Sequence, residues 1–336
     1  MTVRTEDLRM PGFGRVTSFS SLFLWLNLVS VGAAFAQSVE LPATITLHVG
    51  FPAGGPADTT ARLIGERLGK STGANVVVLN RPGAGATLAA GGVAQMEPDG
   101  ANLLLVSSGH AGAATLYGNL KFDTIRSFTP IVSVAQSPVI VLVPKVSPYK
   151  TLAELVDAAK KSPGMLKYGT SGGATLPALT AALLRKQVGY DALAVAYRGS
   201  GPANIDLLAG VLDFNYDTVS GAVGLLASGD ARGLAVTSKK RIAAAPGVPT
   251  VGEAINIDFD VTGWFGLLGP ARMPEGLVAR LNSEVNAALK DAGFRAKLAK
   301  LGMEPMGGTP AEFEALLVRE TERWGSVIRE LGLKPQ

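Results

Sequence analysis

Residues 44–70 read TITLHVGFPAGGPADTTARLIGERLGK, and this stretch sets the pattern of the whole chain. Thr44–Val49 alternates along its length and is rich in β-branched residues, which predicts a strand. Residues 51–58 hold two prolines and two glycines, which is typical of a turn. Residues 59–70 have apolar side chains at helical spacing. A strand, a glycine-rich turn and a helix in this order form the first unit of an α/β sheet.

The same order of elements occurs twice along the chain. Gly54 and Gly172 lie 118 positions apart, and Arg81 and Arg198 lie 117 apart. Strand–helix–strand units form parallel sheets with right-handed crossovers. Besides the first strand, the predicted strands of the two halves are at 75–79, 102–106, 165–168, 193–197 and 213–216. The predicted fold class is therefore α/β, with a doubly wound sheet in each half.

Two apolar stretches could carry the chain between the halves. The predicted crossing strands, 139–143 and 261–268, place residues 38–138 plus 262–336 in lobe 1 and residues 139–261 in lobe 2. Two lobes joined in this way close on a ligand at a hinge. Further helices are predicted at 176–186 and 274–290, and after the capping-box sequences that begin at Thr151 and Thr309.

The composition excludes several classes of protein. The 336 residues carry a net charge of +4 without a block of like charges, and 6% are aromatic, so a nucleic-acid surface is not expected. The chain has no cysteine and two histidines, His48 and His110. Disulfides, thiolate metal sites and cysteine nucleophiles are thereby excluded, and neither a metal nor a cofactor is expected.

The first 36 residues predict export. Arg4, Arg9 and Arg15 precede an uncharged apolar stretch that closes with a small-x-small sequence ending at Ala36. This order is typical of a secretory signal peptide cleaved near Ala36. The alternative is an N-terminal membrane anchor, which the short apolar core disfavours. A periplasmic location is the resulting expectation.

The glycine-rich turns are the candidate binding site. Ligands of open α/β sheets lie at the carboxyl ends of the strands, where helix N-termini present free backbone N–H groups. Glycine pairs at 54–55 and 172–173 would let an anion approach those groups, one pair in each half. The candidate ligand-binding residues are Ala53, Gly54, Gly55, Pro56, Asp58, Ser107, Ser108, Thr170, Ser171, Gly172, Gly173, Arg198 and Asp217.

Several candidates have a structural alternative. Asp58 either caps its helix or binds an amino or hydroxyl group of the ligand. Arg81 and Arg198 either brace their loops or bind the ligand. Asp217 either faces the cleft or bonds within a turn. Trp264 is expected to belong to the core rather than to form a platform for the ligand.

Gly169, Ser171 and Gly173 match the G-x-S-x-G sequence of serine hydrolases, between a predicted strand and helix. Such a hydrolase needs a histidine after the serine, and both His48 and His110 precede it. Hydrolysis through Ser171 is therefore the least favoured function. His48 alternates within a strand and is expected to be structural, whereas His110 is a candidate cleft residue.

The chain resembles one family of receptors over nearly all of its mature length. The resemblance is carried in order by segments that include FPAGGPADTTARLIGERL (51–68), VVVLNRPGAGATLAA (76–90), TLAELVDAAKKSPGMLKYGTSG (151–172), YRGSGPANIDLLAGVLDF (197–214) and WFGLLGPARMP (264–274). They are similar to the Bug-type periplasmic solute receptors of tripartite tricarboxylate transporters. The resemblance implies a two-lobed Venus-flytrap fold, type II-like, with one small carboxylate between the lobes.

The resemblance also implies roles for the loops and for partners. In this family the first loop, here Ala53, 54–56 and Asp58, holds one carboxylate through backbone amides and ordered water. The loop at 170–173 would hold the other end of the ligand and set selectivity. The expected protein is a monomer without enzymatic activity. It would deliver a dicarboxylic, tricarboxylic, amino or aromatic acid to the permease subunits of a membrane transporter. A sensory accessory to a membrane kinase is the alternative.

The chain departs from the family pattern just after the second loop. Many relatives have a histidine near the start of this helix, whereas residues 174–178 here read ATLPA. The smaller side chains leave the identity of the ligand open and favour a bulkier or less polar distal group.

Overall fold

The computed structural model describes residues 40–173 and 175–333. The predicted signal peptide and Ala174 lie outside these residues. The strands are β1 (Thr44–Val49), β2 (Asn75–Asn80), β3 (Asn102–Ser107), β4 (Phe128–Pro144), β5 (Lys167–Thr170), β6 (Leu193–Ala196), β7 (Phe214–Thr218), β8 (Ala231–Val236), β9 (Thr262–Pro270) and β10 (Glu304–Gly307). The helices are α1 (Pro56–Thr72), α2 (Thr87–Val93), α3 (Gly109–Leu116), α4 (Leu152–Lys161), α5 (Leu176–Val188), α6 (Ser200–Leu208), α7 (Val219–Ser228), α8 (Val251–Ile255), α9 (Glu275–Lys290), α10 (Ala292–Lys300) and α11 (Pro310–Leu331).

The sheet repeats one arrangement in its two halves. The strands pair in the order β2-β1-β3-β9-β4-β7-β5-β6, and β8 and β10 also pair with β4. β1 pairs in parallel with β2 and β3, and β5 pairs in parallel with β6 and β7. Each set is connected by helices, α1 and α2 in the first and α5 and α6 in the second. The predicted α/β class with a repeated, doubly wound unit is confirmed.

β4 belongs to both halves of the sheet. Its residues 128–138 pair with β9, and residues 139–144 pair with β7 and β8. The crossing strand predicted at 139–143 is therefore the second part of a longer strand. β9 pairs with β3 and with the first part of β4, and the chain enters it from Val261, whose N–H donates to the Thr237 carbonyl at 2.8 Å. The lobe boundaries at 138/139 and 261/262 stay a prediction.

Helix and strand ends follow local hydrogen bonding. β5 starts two residues later than predicted, because Met165 closes the turn after α4 with its N–H 3.3 Å from the Ser162 carbonyl. The capping boxes predicted at Thr151 and Thr309 are confirmed, since each hydroxyl accepts the N–H of the glutamate three residues on and that glutamate bonds back.

The apolar layers bury both faces of the sheet. On one face α1 and α9 pack on β1 and β3 through side chains such as Ile64, Leu281 and Leu47. On the other face Phe313 and Trp324 of α11 belong to a layer that also contains Tyr168 of β5. Within the described ranges, the helices are all too short or too polar to span a bilayer. The layers leave open the edge at which the parallel strands of both halves end.

Candidate ligand-binding site

A cavity of about 380 Å³ lies at the carboxyl ends of the parallel strands. Cavities of this size accommodate small organic molecules. Its walls include the cap or first turn of α1, α3, α5, α6 and α7, whose N-terminal ends converge on it. The lining consists of residues 51–57, Thr59, Ser107, Ser108, Ser137, Ser171, 175–177, 198–202, Asn204, Thr218, Ser220, Gly221, 263–265, Leu301 and Met303.

The first loop presents backbone to the cavity. The cavity is lined by the predicted residues Ala53, Gly54 and Gly55, which precede α1, and by Pro56, the first residue of α1. Gly54 has φ +82°, a left-handed conformation that favours glycine. Gly55 is the N-cap of α1 and supplies no capping side chain, so the N–H groups of the first turn are left for another partner.

Asp58 supports this loop from behind the lining. It is 2% exposed, and its Oδ2 accepts hydrogen bonds from the Gly54 N–H and from Arg62 Nε, both at 2.9 Å. Burial raises the pKa of the Asp58 carboxyl, but the bonds from Arg62, Gly54 and Asn80 outweigh it and leave the pKa below its ordinary value. Oδ2 of Asp58 is thus occupied within its own loop, whereas the buried Oδ1 has no hydrogen-bond partner among the described residues. The alternative in which Asp58 binds the ligand stays a prediction.

Ser107 and Ser108 line the cavity at the end of β3, where Ser108 is the N-cap of α3. His110, two residues further on, does not join them. Its ring is buried between Phe122 and Phe128, and Nε2 lies 2.7 Å from the Thr124 carbonyl. Burial lowers the pKa of His110 to about 4. The prediction of His110 as a cleft residue is therefore wrong.

The second loop contributes less of its length than predicted. Ser171 lines the cavity and donates to Thr175 Oγ1 at 3.3 Å, and Thr175 donates to the Gly172 carbonyl at 2.7 Å. Thr170, Gly172 and Gly173 lie outside the described lining. His48, the other histidine, is held in β1 by Asn102 Oδ1 at 3.0 Å. In the described part of the chain, Ser171 therefore lacks the histidine base of a hydrolase.

Asp217 lies behind the wall that α6 and α7 form. It is 1% exposed, and its Oδ1 accepts from Ser200 Oγ at 2.6 Å and from the Thr218 N–H at 2.7 Å. Its Oδ2 accepts from Asn204 Nδ2 at 3.0 Å. Burial raises the pKa of Asp217 to about 6, although Ser200, Asn204 and Thr218 lower it by donating hydrogen bonds. These three partners line the cavity, whereas Asp217 is one side chain away from it.

The floor of the cavity comes from β9 and from the segment after α10. Trp264 is 3% exposed and packs edge-on against Phe313, with ring centroids 5.7 Å apart. It also forms part of the lining, together with Leu301 and Met303. Trp264 thus belongs to the core, as predicted, while one side of it borders the site.

The charge in the lining is low. Among the described lining residues, Arg198 carries the one ionic side chain, and it is exposed. Arg81, its counterpart in the first half, is outside the lining. Helix N-termini and hydroxyl groups thus supply most of the hydrogen-bond donors, which suits an anion held without a buried ion pair. The described residues contain no group of three or more acidic or histidine side chains arranged for a metal.

Sequence reasoning missed part of the polar lining. One missed residue, Ser137, lies within β4. The others stand at or near helix starts that follow a strand, and include Thr175, Ser200, Asn204, Thr218 and Ser220. The rule that favoured the glycine pairs would have found these others if it had been applied to every strand end. Leu301 and Met303 carry no such signal, because a distant loop brings them to the site.

Comparison with known proteins places the chain in a family. Residues 60–333 match the model of the family TctC, tripartite tricarboxylate transporter family receptor. A relative from Pseudomonas sp. (strain P51), the UPF0065 protein in the tcbD-tcbE intergenic region, is 36% identical over 290 residues, which cover 86% of each chain.

Solved structures agree with this assignment. Rpa4515 of R. palustris with adipate is 32% identical, with a TM-score of 0.84 over 87% of this chain and 98% of that one. MatC of Rhodopseudomonas palustris with bound malate is 33% identical, with a TM-score of 0.80 over 85% and 98%. The periplasmic binding protein BugD is 30% identical, with a TM-score of 0.82 over 87% and 99%. The chain therefore belongs to the family of tripartite tricarboxylate transporter receptors.

Proposed function

We propose that this chain is an exported receptor that captures a small organic carboxylate in the 380 Å³ cavity. The observation that carries the proposal is the convergence of five helix N-termini on a cavity whose one ionic lining residue, among those described, is the cation Arg198. Each N-terminus offers backbone N–H groups and the positive end of a helix dipole. A carboxylate gains from both without a buried counter-ion.

The two ends of the ligand would meet different walls. The loop at 53–56 and the first turn of α1 offer mainly backbone amides, which suit one carboxylate group. Opposite them, Ser171, Thr175, Ser200 and Thr218 offer hydroxyl groups that can donate or accept. Two structural neighbours, Rpa4515 with adipate and MatC with bound malate, support a ligand with two polar ends.

Capture would involve closure of the two predicted lobes, 38–138 plus 262–336 and 139–261, about the shared strand β4. We infer that residues 1–36 direct the chain to the periplasm. The family description supports a membrane transporter as the partner of the loaded receptor. We further propose that the receptor acts as a monomer. The chain would carry out this role without catalysis and without a cofactor.

Binding is tested by calorimetry and thermal shift with malate, adipate, citrate, glutamate and benzoate, on protein refolded to remove any bound ligand. A ligand that binds only the native state stabilises it by mass action, by about 2.7 kcal/mol at a hundredfold excess over its Kd. The melting temperature rises accordingly. A saturable shift with one class of acid is expected. Equal, negligible shifts with all five acids would contradict the proposal.

The hydrolase alternative is tested on the same preparation. The receptor function predicts that Ser171→Ala weakens carboxylate binding modestly, because one hydroxyl leaves the wall, and that neither protein turns over an activated ester. Ester turnover that Ser171→Ala abolishes would instead make Ser171 a nucleophile. Ser228→Ala, on the exposed end of α7, is the matched control for loss of a serine hydroxyl.

A further inference from the structure

We propose that Asp217 makes the affinity of this cavity for an anion depend on pH, because binding of the anion is accompanied by proton uptake from solvent at the Asp217 carboxylate. The inference rests on the proposed function and adds that anion binding is coupled to protonation of Asp217. It follows from where the carboxylate is placed and from what surrounds it.

The carboxylate occupies the inner side of the wall that α6 and α7 present to the ligand. Its partners Ser200 and Thr218 are at the N-terminal ends of the two helices, and Asn204 is one turn further along α6. Asn204 also donates to the Gly221 carbonyl at 3.2 Å. All four of these residues line the cavity. A single layer of side chains and backbone therefore separates Asp217 from a bound anion.

The groups packed around Asp217 are uncharged. From α6 come Ser200 and Asn204, from α7 Gly221, and from the neighbouring positions of β7 Asn215 and Thr218. On β4 the register partner of Asp217 is Ile140. Asn215 in turn donates to Asn204 Oδ1 at 2.8 Å and pairs with Gly169 of β5.

The ionisable groups nearest along the chain point elsewhere. Arg198, before α6, is exposed, and Asp206 of the same helix accepts from the Tyr197 hydroxyl at 2.7 Å. Tyr216 precedes Asp217 on β7, but its hydroxyl bonds to that of Tyr190 at 2.6 Å. Asp217 is thus a buried carboxylate without a cation among its described hydrogen-bond partners. Burial raises its pKa to about 6, within reach of neutral pH.

The ionised Asp217 carboxylate and a bound anion compete for the same features of this wall. An unprotonated Asp217 already uses the Thr218 N–H and the positive ends of two helices, which are the features that would hold the ligand. In a buried site, like charges one layer apart each disfavour the other's ionised form. Protonation removes the conflict without breaking the network, because the Ser200 hydroxyl can accept a hydrogen bond as readily as it donates one.

Linkage sets the direction of the effect. An anion that raises the pKa of Asp217 must itself bind more tightly when Asp217 is protonated, and by the same factor. A rise of one pKa unit corresponds to about a tenfold gain in affinity. We therefore expect affinity to increase as the pH falls from about 8 to about 6, while the carboxyl groups of the probes remain ionised.

The experiment is calorimetry with malate, adipate and benzoate as probes, in two buffers of different ionisation enthalpy. For wild type we expect proton uptake on binding between about pH 6 and pH 7.5, and an affinity that rises by up to about tenfold on acidification. Asp217→Asn should bind with little pH dependence and without uptake. Asp213→Asn is the matched control just before β7, and it should retain both effects because Asp213 lies outside the lining and its carboxylate accepts from the Lys167 N–H at an exposed position.

The outcomes separate the two proposals. A probe that binds wild type without proton uptake overturns the role of Asp217 and leaves the receptor function standing. Uptake that persists in Asp217→Asn assigns the proton elsewhere and also overturns it. If none of the three probes and none of the wider panel binds at any pH, both proposals fall.

A second variant covers the case in which Asp217→Asn does not fold. Ser200→Ala removes one donor to the ionised carboxylate, so the pKa of Asp217 should rise and the uptake should move to higher pH. An uptake profile unchanged in Ser200→Ala would contradict the proposal.

Discussion

A β-carbon at position 221 would lie 2.5 Å from Oδ2 of Asp217, so α7 can pass the buried carboxylate only because residue 221 is glycine. No side chain reaches that distance without moving either the helix or the aspartate. Gly221 lines the cavity and Asp217 lies directly behind it. The glycine therefore fixes the spacing between the wall of the site and its buried charge.

Gly221→Ala is expected to destabilise the protein by about 1–3 kcal/mol, the usual cost of forcing an extra carbon into a packed site. Gly224→Ala is the control on the same helix, where a β-carbon meets nothing within 4 Å, and it should be neutral or stabilising by up to about 1 kcal/mol. Urea denaturation of the two variants measures both values. Equal effects at 221 and 224 would mean that the carboxylate can move aside at little cost.

Asp217 should also make the unfolding free energy of the ligand-free protein depend on pH. Its folded-state pKa of about 6 lies above the ordinary value of 3.8, so the protonated form is favoured in the folded protein. The stabilisation is complete below about pH 4 and is lost as the pH rises through 6, by about 3 kcal/mol in total. The difference in unfolding free energy between wild type and Asp217→Asn should therefore fall across this range. A difference that stays constant would show that Asp217 does not titrate there.

His110 should have the opposite slope. Burial lowers its folded-state pKa from 6.5 to about 4, so the neutral ring is favoured in the folded protein. Its contribution is complete above pH 6.5 and is lost as the pH falls towards 4, again by about 3 kcal/mol. Denaturation of wild type and His110→Gln from pH 4 to 7.5 measures it. We expect the wild-type advantage to grow with pH, and a shrinking advantage would contradict the burial of an uncharged ring.

Gly54→Val is expected to weaken ligand binding about tenfold or more while the fold is retained. Gly54 has φ +82°, where a non-glycine residue costs about 1–2 kcal/mol, so the loop of the variant is expected to relax in the free protein. Restoring the binding conformation would then cost affinity, and about 1.4 kcal/mol is tenfold. A β-carbon there meets nothing within 4 Å, so the strain stays within the loop. Gly118→Val, also in open space but without the left-handed backbone, is the control for added bulk. Calorimetry with the best acid of the panel compares them, and equal affinities would place the ligand away from residues 53–56.

The sequence was sufficient for the parts of the fold that depend on local pattern. Alternation in β1, apolar spacing in α1 and the glycine turn between them are properties of neighbouring residues, and their repetition after Gly172 predicted the second half. The predicted start of the long strand β4 was late, because Pro130 and Pro138 interrupt its pattern. The structure accommodates Pro130 with irregular pairing beside it, whereas Pro138 pairs in regular register with Thr262.

The direction of individual side chains could not be predicted in the same way. Arg81 and Arg198 hold equivalent places in the repeat, yet only Arg198 lines the described cavity, because exposure depends on what packs opposite each loop. Asp217 has the chemistry of a ligand contact, but hydrogen bonds from its own strand end and from α6 occupy both of its oxygens, and in Asp58 the loop and Arg62 occupy one oxygen of the two. Whether such a side chain binds the ligand or a neighbouring residue depends on distances in the folded protein, which the sequence alone does not give.

The scarcity of ionic side chains in the cavity has a consequence for how such receptors diversify. Contacts made by backbone N–H groups do not depend on the identity of a side chain, so under the proposed function most substitutions in the lining leave them in place, apart from those at positions such as Gly54 that need a left-handed backbone. Variation at Leu176 or Met303, which border the same space, can then alter the shape offered to the rest of the ligand. Under the proposed function, receptors of this kind would change the ligand they select through substitutions in the rest of the lining, while the backbone donors for the anionic group stay the same.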